Sequence, residues 1–343
     1  MDLSNIYHKL PKKIKNSERM TLYLMKLYKF IDKRKKSNQN TNPIINFLFK
    51  STDIKVTGTL RNMQLVYLEL LRFIVNVCDK YGLEYWITYG SLLGAVRHDG
   101  FIPWDDDLDI SMMRKDYNKL MEILPEEIKK NEILKENCCL TLLLNPNEDY
   151  FKDVHGIYDY GSDKHFEKFG FSQSLFLQFG WLKPFIKLDV FPFDYIKEES
   201  IDYYIKNYLG HKYYFRVLFN GEDFNYKESF KDQYNKLGLT ENETNFIVEG
   251  IDATFFDDFG IFKKDLIFPL KTINFEGYEF KCPNKPHELL KIWYGETYMD
   301  IPSDLWIHNF SEYNEELFDS KEEMDKAFEE TIKYLKEIND NFS

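Results

Sequence analysis

The stretch that decides the fold is YGSLLGAVRHDGFIPWDDDLDISMMR, residues 89–114. It follows a short β-prone run, EYWITY, and begins with a Gly-Ser turn at Gly90 and Ser91. Residues 92–97 suit a helical turn, and residues 108–112 alternate in the manner of a strand. A strand, a Gly-Ser turn, a helix and an acidic strand in this order predict an α/β protein.

The acidic part of this stretch predicts a metal site. Asp105, Asp106, Asp107 and Asp109 lie within five residues, and like charges at this density are unfavourable unless a cation sits among them. In an extended segment Asp105, Asp107 and Asp109 share one face, while Asp106 points the other way. Two such carboxylates can chelate a hard ion together with substrate phosphates and water. The predicted cofactor is therefore Mg²⁺, with Mn²⁺ as the alternative.

Two other interpretations of the acidic run stay open at this point. Composition alone favours a solvated charged face, because acidic runs are common on surfaces. A helix-loop-helix calcium loop would place ligands at Asp105, Asp107, Asp109 and Asp116. That loop needs a glycine where this chain has Ile110 and a glutamate where it has Asp116. The Pro-Trp pair before the run and the alternating apolar residues after it favour a site over a solvated face.

The Gly-Ser turn predicts a phosphate-binding element. Gly90 lets the backbone approach a phosphate, and the N–H groups at the helix start can hold it together with the Ser91 hydroxyl. Arg97 and His98 follow within a few residues, and the forked donors of Arg97 suit a phosphate oxygen. A salt bridge to a nearby aspartate is the alternative for Arg97. These four residues are the predicted substrate-binding set.

A third carboxylate lies further along the chain, in IKLDVFPFD. Asp189 is part of a strongly apolar strand candidate, where an ionised residue needs a partner or a metal. The predicted catalytic set is therefore Asp107, Asp109 and Asp189, and the predicted metal ligands are these three together with Asp105. Asp194 is the rival, but the proline turn before it favours a capping role.

The remaining pattern predicts further helices and strands around this core. Helices are expected at 59–80, at 114–124 before Pro125, and at 201–219, 228–237 and 320–338. Strand candidates are 139–144, 154–158 and 186–193, and a hairpin is expected at 273–281 around Glu276-Gly277. These elements fill out a mixed sheet flanked by helices.

The length of 343 residues corresponds to about two domains or one large domain with attachments. With 43% apolar and 30% charged residues, the composition is that of a soluble globular protein. We predict a basic helical segment at 1–57, a catalytic core at 58–200, and a mostly helical region at 201–343 that contains the hairpin.

Charge is distributed unevenly along the chain. The net charge of −12 argues against a nucleic-acid partner, because phosphate binding needs a basic surface. Residues 1–57 nevertheless hold 13 Lys and Arg against 4 Asp and Glu. Within them, residues 20–36 combine an amphipathic helix with a basic end, which predicts peripheral association with an anionic membrane. A helix docked on the protein's own core is the alternative.

The sequence does not favour a membrane-spanning protein, a secreted protein, a zinc ribbon or a disulfide-stabilised fold. No run of 18 apolar residues occurs, so a spanning helix is not expected, and the N-terminus lacks the apolar centre of a secretory signal. Four cysteines without a CxxC pair favour reduced thiols over a zinc ribbon or a disulfide framework. A cytoplasmic location is the resulting prediction.

The quoted stretch resembles the signature of the LicD family, which is also related to the fukutin-related proteins. LDVFPFD resembles the third acidic strand of that family, and FEGYEFKCPNKPHELLKIWYGETYMDIP resembles its closing segment. The resemblance covers residues 60–302. It leaves the basic N-terminus and the last forty residues outside.

The resemblance implies a nucleotidyltransferase-type α/β core and an enzyme that transfers a phospho-substituent. The expected reaction moves phosphocholine from CDP-choline to a sugar of a cell-surface glycan, such as teichoic acid or lipopolysaccharide, with release of CMP. It also implies phosphate binding for Gly90 and Ser91, metal binding for Asp107 and Asp109 with help from Asp105, and the third carboxylate for Asp189. No cysteine set for a zinc-binding insertion is evident, so CDP-ribitol is the less supported donor.

Two rival functions remain open from the sequence. A glycosyltransferase could use the acidic pair to bind a metal and a nucleotide-sugar, although it needs no Gly-Ser phosphate turn. A glycan-binding protein with a degenerate site is the non-enzymatic alternative, and the intact aspartates count against it.

Overall fold

The structure, a computed structural model, describes residues 54–141, 177–181, 186–219, 226–253, 260–302 and 318–342. It has an α/β fold in which a mixed sheet is flanked by helices, so the predicted fold class is confirmed. The predicted membrane-binding segment at 20–36 and the strand candidate at 154–158 lie outside the described residues. No helix in the described part of the chain is long and apolar enough to cross a membrane.

The chain forms nine labelled helices within the described residues. In chain order they are α1 (Thr59–Tyr81), α2 (Tyr89–His98), α3 (Arg114–Lys129), α4 (Glu132–Asn137), α5 (Ile201–Phe219), α6 (Tyr226–Lys236), α7 (Lys264–Ile267), α8 (Pro286–Tyr294) and α9 (Lys321–Asp340).

The described part of the chain also contains strands, most of which are shorter than the helices. They are β1 (Trp86–Ile87), β2 (Asp109–Met113), β3 (Cys138–Thr141), β4 (Leu177–Trp181), β5 (Ile186–Ile196), β6 (Leu239–Thr240), β7 (Phe246–Glu249), β8 (Ile261–Lys263), β9 (Lys271–Phe275) and β10 (Tyr278–Cys282).

Two compact units divide the chain. Among the described residues, the smaller unit contains Pro192–Lys264, and the larger unit contains the residues before and after that range. Strand β5 crosses from one unit into the other. The domain boundaries predicted at residues 57 and 200 stay a prediction.

In the larger unit, five strands lie in the order β1-β2-β5-β4-β3. Strand β1 runs antiparallel to β2, and β4 runs antiparallel to both β3 and β5. The amide of Asp189 in β5 donates to the carbonyl of Leu108, 3.1 Å away, so β5 lies beside the start of β2. The two acidic segments are therefore neighbours in the sheet.

Helix α1 supplies a long apolar face in the larger unit. Apolar residues recur along it at helical spacing, and Phe73, Ile74 and Val77 are fully buried. The helix ends at Gly82, whose left-handed backbone (φ 66°) lets its N–H bond the carbonyls of Asp79 and Cys78. The predicted helix at 59–80 is thus present almost to the residue.

Helix α3 does not end where the proline predicted. It continues through Pro125 to Lys129, so the expected end at residue 124 is wrong. A proline inside a helix costs about 3 kcal/mol because it removes a hydrogen bond. Leu124 and Ile128 are fully buried on either side of it, and the burial of this apolar face offsets that cost.

In the smaller unit, the second half of β5 pairs antiparallel with β6 and β7, and β7 pairs with β8. Asp194 lies inside this strand, opposite Val248, and is fully buried. The capping role predicted for Asp194 is therefore wrong. Pro192 does not break the strand, because its fixed φ suits extended backbone and its carbonyl accepts a hydrogen bond from the Gly250 N–H at 2.8 Å.

The predicted hairpin is present as β9 and β10, with Phe275 opposite Tyr278. Its two turn residues, Glu276 and Gly277, have positive φ values of 54° and 85°, as a two-residue hairpin turn of the mirror-image type requires. The hairpin matters for the site, because Glu276 reaches the loop that precedes the acidic run.

Candidate active site

The predicted site residues of the turn and of the two acidic strands come together in the larger unit. Gly90 and Ser91 form the first turn of α2, and Asp109 is the first residue of β2. Asp189 lies in the neighbouring strand β5. The loop ahead of β2 brings Asp105 against the start of α2.

The connection from β1 into α2 is unusually tight. Tyr89 adopts a positive φ of 44°, which is uncommon and unfavourable for a residue with a side chain. Its ring packs edge-on against Phe191, with 5.4 Å between ring centroids, and against Trp293 at 4.8 Å. These aromatic contacts hold the backbone in a conformation that begins the helix immediately after the strand.

Gly90 is needed because a carboxylate lies against its backbone. A Cβ atom at this position would lie 2.9 Å from Oδ2 of Asp105, closer than ordinary van der Waals contact. The turn and the acidic run therefore touch, and the residue predicted to let a phosphate approach also lets Asp105 approach.

Replacing Gly90 by alanine is expected to preserve the fold and to displace the Asp105 carboxylate. The backbone of Gly90 is not left-handed, so alanine adds no backbone strain and the thermal midpoint should change little. Turnover should fall about tenfold, the low end of effects on metal-supporting groups. Steady-state kinetics and circular dichroism of the variant check this, and turnover equal to wild type would show that the position of Asp105 is unimportant.

Ser91 ties the helix to the acidic strand. Its buried hydroxyl oxygen accepts a hydrogen bond from the backbone N–H of Asp109 at 2.8 Å. The hydroxyl proton can still be donated. Phosphate binding by Ser91 stays a prediction, and the structure adds a positioning bond that the sequence did not indicate.

The carboxylates interact strongly with one another. Burial raises the pKa of Asp109 well above its usual value, and the negative charges of Asp107, Asp189 and Asp105 raise it further. Asp106 is buried, whereas its neighbours Asp105 and Asp107 are half-buried. The different exposure of Asp106 is consistent with a side chain that faces away from Asp105 and Asp107, whereas Asp109, at the start of β2, is buried.

The sheet beside Asp109 carries two buried hydroxyls that have no hydrogen-bond partner among the described residues, those of Thr88 and Ser111. The register pairs Trp86 with Ser111 and so places Thr88 opposite Asp109. Residues that are opposite or two apart share a face, so both hydroxyls lie on the face of Asp109. Buried polar groups of this kind normally have a partner, and a hydrated cation would supply one.

The residues present fit a hard divalent cation. Four carboxylates whose charges oppose one another, and two buried hydroxyls, are an all-oxygen set, which Mg²⁺ prefers. Within the described ranges, no three His, Cys, Asp or Glu side chains already converge as a ligand group. Mg²⁺ is usually held by one or two carboxylates plus substrate phosphates and water, so a preassembled protein cage is not required.

Asp189 is held by a side chain of the next strand. Gln178 lies directly opposite it in β4 and donates from Nε2 to Oδ1 of Asp189 at 2.6 Å. The other end of the amide, Oε1, accepts from Nζ of Lys187 at 2.8 Å. Lys187, Gln178 and Asp189 thus form a chain of hydrogen bonds that fixes the orientation of the carboxylate.

Arg97 is buried and bonded to the backbone. Its Nη1 donates to the carbonyls of Tyr298 and Asp300 at 2.9 and 3.1 Å. Burial lowers its pKa to about 10, although Tyr294 and the acidic groups Asp105 and Asp300 oppose this. The guanidinium therefore fastens the segment after α8 to α2. Phosphate binding by Arg97 stays a prediction.

His98 lies beside Arg97 and shares its burial. Its Nε2 accepts a hydrogen bond from Nε of Arg97 at 2.9 Å, and its ring packs edge-on against Trp104 at 5.8 Å. Since Nε2 is an acceptor, the ring proton lies on Nδ1 in this arrangement. The role of His98 in substrate binding stays a prediction.

The loop that contains the aspartates is held by hydrogen bonds from two other elements, α1 and the β9–β10 hairpin. The buried Gln64 of α1 donates from Nε2 to the carbonyls of Asp105 and Ile102, at 2.9 and 3.2 Å. Glu276 of the hairpin accepts from the Phe101 N–H at 3.1 Å and pairs with Arg61 through two hydrogen bonds. Burial opposes ionisation of Glu276, yet these donors hold its pKa below the usual value.

Sequence reasoning missed Gln64, Gln178 and Glu276. It also missed Tyr67 and Tyr294, two tyrosines whose surroundings include the site carboxylates. Gln64 could have been noticed in the sequence, because it is a polar residue at a buried position of α1. The contacts of Gln178 and Glu276 join residues far apart in the chain, and no local pattern marks them. The tyrosines occur in a sequence with 24 of them, so composition did not distinguish them.

A Gly-Ser turn at a helix start, an acidic segment that leads into the neighbouring strand and a third carboxylate beside them are groups of the kind that phosphoryl-transfer sites use. Comparison with known proteins agrees with this class. Residues 82–230 match the family model described as LicD/FKTN/FKRP, nucleotidyltransferase domain. The predicted family resemblance is therefore confirmed over residues 82–230.

Individual relatives extend the match to different degrees. The lipopolysaccharide cholinephosphotransferase LicD of Haemophilus influenzae is 27% identical over 278 residues, which are 72% of this chain and 93% of that protein. An uncharacterized protein of Rickettsia typhi is 38% identical over 109 residues, 29% of this chain and 35% of that protein.

A shorter similarity reaches the human ribitol 5-phosphate transferase FKRP. It is 46% identical over 48 residues, 14% of this chain and 10% of that protein. The chain therefore spans nearly all of the Haemophilus relative, about a third of the Rickettsia protein and a tenth of the human one. All the predicted catalytic, metal-binding and substrate-binding residues lie inside the matched range 82–230.

Proposed function

We propose that this protein transfers a phospho-linked alcohol to a hydroxyl of a glycan sugar, and that the donor is CDP-choline. Two named relatives, a cholinephosphotransferase and a ribitol 5-phosphate transferase, support the coarser class of phospho-substituent transfer. The relative that aligns over most of its length carries the choline-linked name, which favours phosphocholine. A cell-surface glycan such as teichoic acid or lipopolysaccharide is the proposed acceptor.

One observation carries the proposal. The carboxylates of Asp105, Asp107 and Asp189 all act on the buried Asp109, and Asp105 lies against the Gly90 backbone at the start of α2. A helix start attracts anions, whereas clustered carboxylates repel them and attract cations. A phosphate anion together with a dication is the ligand pair that satisfies both.

The proposed reaction balances as follows. The acceptor hydroxyl oxygen forms a bond to the phosphorus that carries the choline, and the bond from this phosphorus to the bridging oxygen breaks. CMP leaves with the electron pair. The hydroxyl proton passes to a carboxylate, and we assign this role to Asp189, whose orientation Gln178 maintains.

Different residues bind the metal ion and the phosphate groups. Asp107 and Asp109, with Asp105 and Asp189, would hold Mg²⁺, which when bound supplies neutralisation of phosphate charge. The N–H groups at Gly90 and Ser91 bind phosphate oxygens at the positive end of α2. The peripheral membrane association of residues 20–36 and a cytoplasmic location stay predictions.

A donor screen tests the proposal. Full-length protein with MgCl₂ and a glycan acceptor would be offered CDP-choline, CDP-ethanolamine, CDP-ribitol and a UDP-sugar, and the products measured by mass spectrometry. We expect CMP release from CDP-choline, abolished by EDTA. Release of UDP from the UDP-sugar would support a glycosyltransferase, and turnover of CDP-ribitol alone would replace the proposed donor.

A further inference from the structure

Two tyrosines flank the acidic site from opposite ends of the chain. Tyr67 belongs to α1 and Tyr294 is the last residue of α8. Both lie outside the range 82–230 that matches the family model. Nothing in the local sequence connects them, and the fold brings them to the same carboxylates.

Tyr67 is placed by the helix that braces the acidic loop. It follows Gln64 by three residues, so the two side chains occupy the same face of α1. Gln64 bonds the carbonyl of Asp105 at 2.9 Å. Tyr67 itself is 5% exposed, and its hydroxyl interacts electrostatically with Asp107, Asp106, Asp189 and Asp109.

Tyr294 is placed by the contacts of α8. The preceding residue, Trp293, packs on Tyr89 at 4.8 Å between ring centroids. Arg97 fastens the segment just beyond, through the carbonyls of Tyr298 and Asp300. The hydroxyl of Tyr294 interacts electrostatically with Asp109, Asp105 and Asp107.

Both hydroxyls are protonated and can act as hydrogen-bond donors. An unperturbed tyrosine phenol has a pKa of about 10, so each hydroxyl is protonated at neutral pH. A protonated phenol is a donor.

Charge complementarity selects the ligand. A phosphate oxygen accepts hydrogen bonds and cannot receive one from an ionised carboxylate, which only accepts. A site lined by four carboxylates therefore needs separate N–H or O–H donors to hold a pyrophosphate. Arg97 directs Nη1 to backbone carbonyls and Nε to His98. Within the described residues, the start of α2 and the two phenols are donors close to the acidic groups that are not already committed to Asp189, as Gln178 is.

We propose that Tyr67 and Tyr294 are substrate-binding residues that donate hydrogen bonds to the phosphate oxygens of a nucleoside diphosphate donor. This inference rests on the proposed function, because it concerns the same site. It enlarges the site beyond the matched domain. Helices α1 and α8 then act together with the start of α2 in holding the donor.

Calorimetric titration of the full chain with CDP in the presence of MgCl₂ tests this inference. Tyr67→Phe and Tyr294→Phe each remove one hydroxyl and keep the ring, so packing is retained. We expect each variant to bind CDP about tenfold more weakly, as for loss of one hydrogen bond to a charged group. The double variant should lose about a hundredfold. Tyr334→Phe, on the exposed side of α9, is the matched control and should bind as wild type does.

The outcomes separate this inference from the function on which it rests. If the wild-type protein binds CDP and both variants bind it equally well, the inference is overturned and the function stands. If the wild-type protein binds neither CDP nor CDP-choline, both are overturned. In steady-state kinetics the donor KM should rise and the acceptor KM should not, and a rise confined to the acceptor would overturn the phosphate assignment.

Discussion

Replacing Asp107 or Asp109 by asparagine is expected to abolish measurable transfer while the fold is retained. Asparagine keeps the shape of the side chain and removes the negative charge that would hold a cation. Loss of one electrostatic group at the reacting centre costs about 10²- to 10³-fold in turnover. Mass-spectrometric detection of CMP release, with circular dichroism of each variant, measures both parts of the expectation.

Asp109→Asn should stabilise the fold, although it abolishes transfer. The pKa of Asp109 is raised by burial and by three like charges, so the ionised site is unfavourable for folding in the absence of a cation. Asp109→Asn removes that repulsion. We expect its thermal midpoint without Mg²⁺ to rise by about 2 °C, corresponding to about 1 kcal/mol of unfolding free energy.

Mg²⁺ should reverse this order. A ligand that binds the folded state at about 100 times its Kd stabilises it by about 2.7 kcal/mol. Wild-type protein should therefore gain thermal stability on addition of MgCl₂, and Asp109→Asn should gain less. If Mg²⁺ shifts both proteins equally, the carboxylates do not hold the cation.

A matched control separates the site from the general charge of the loop. Asp99→Asn removes a carboxylate only six residues before Asp105, at an exposed position. Asp99 has a left-handed backbone, with φ of 58°, which asparagine tolerates. Its turnover and its response to Mg²⁺ should match wild type. Full activity in Asp107→Asn or Asp109→Asn would refute the catalytic assignment directly.

The parts of the fold that local sequence predicted are those with a strong period or a turn signature. The apolar stripe of α1 and the hairpin at Glu276-Gly277 are present as expected, because each is specified by residues close together in the chain. The strand that begins at Asp109 was predictable for the same reason. Asp109 and Asp189 became neighbours only through strand pairing, which a period in the sequence does not reveal.

The errors also have a physical origin. The predicted end of α3 at Pro125 is wrong, because this proline lies inside the helix. The capping role predicted for Asp194 is wrong, because Pro192 and Asp194 both lie inside β5. Proline penalises a helix through a lost hydrogen bond, yet burial of Leu124 and Ile128 outweighs that penalty. In β5 the penalty is avoided, since the strand uses the carbonyl of Pro192. Local propensity was overridden by tertiary contacts in each case.

The candidate site shows the same division between local and long-range information. Its carboxylates stand close together in one motif, so they could be recognised from the sequence. The groups that orient them come from elsewhere: Gln64 from α1, Glu276 from the hairpin and Gln178 from β4. An acidic cluster of this kind repels itself, so its geometry has to be maintained by hydrogen bonds from groups outside the motif.

The orientation of Asp189 gives the second large expectation. Gln178→Glu would place a carboxylate directly opposite Asp189 and remove the donor now 2.6 Å from Oδ1. Like charges on adjacent strands repel, so Asp189 should turn away from its present orientation. We expect turnover to fall about a hundredfold, the upper range for groups that support a metal or base. The donor KM should change less than threefold, because the phosphate-binding turn is untouched.

Lys187 allows the hydrogen-bond chain to be tested as a unit. Gln178→Leu removes the amide, and Lys187→Met removes the cation that fixes the amide through Oε1 at 2.8 Å. If the lysine acts through the glutamine, the double variant should be no slower than Gln178→Leu alone, because residues in one network are not additive. Multiplying effects in the double variant would show that Lys187 acts on the substrate independently. Gln178→Leu with wild-type turnover would show that Asp189 needs no orienting partner.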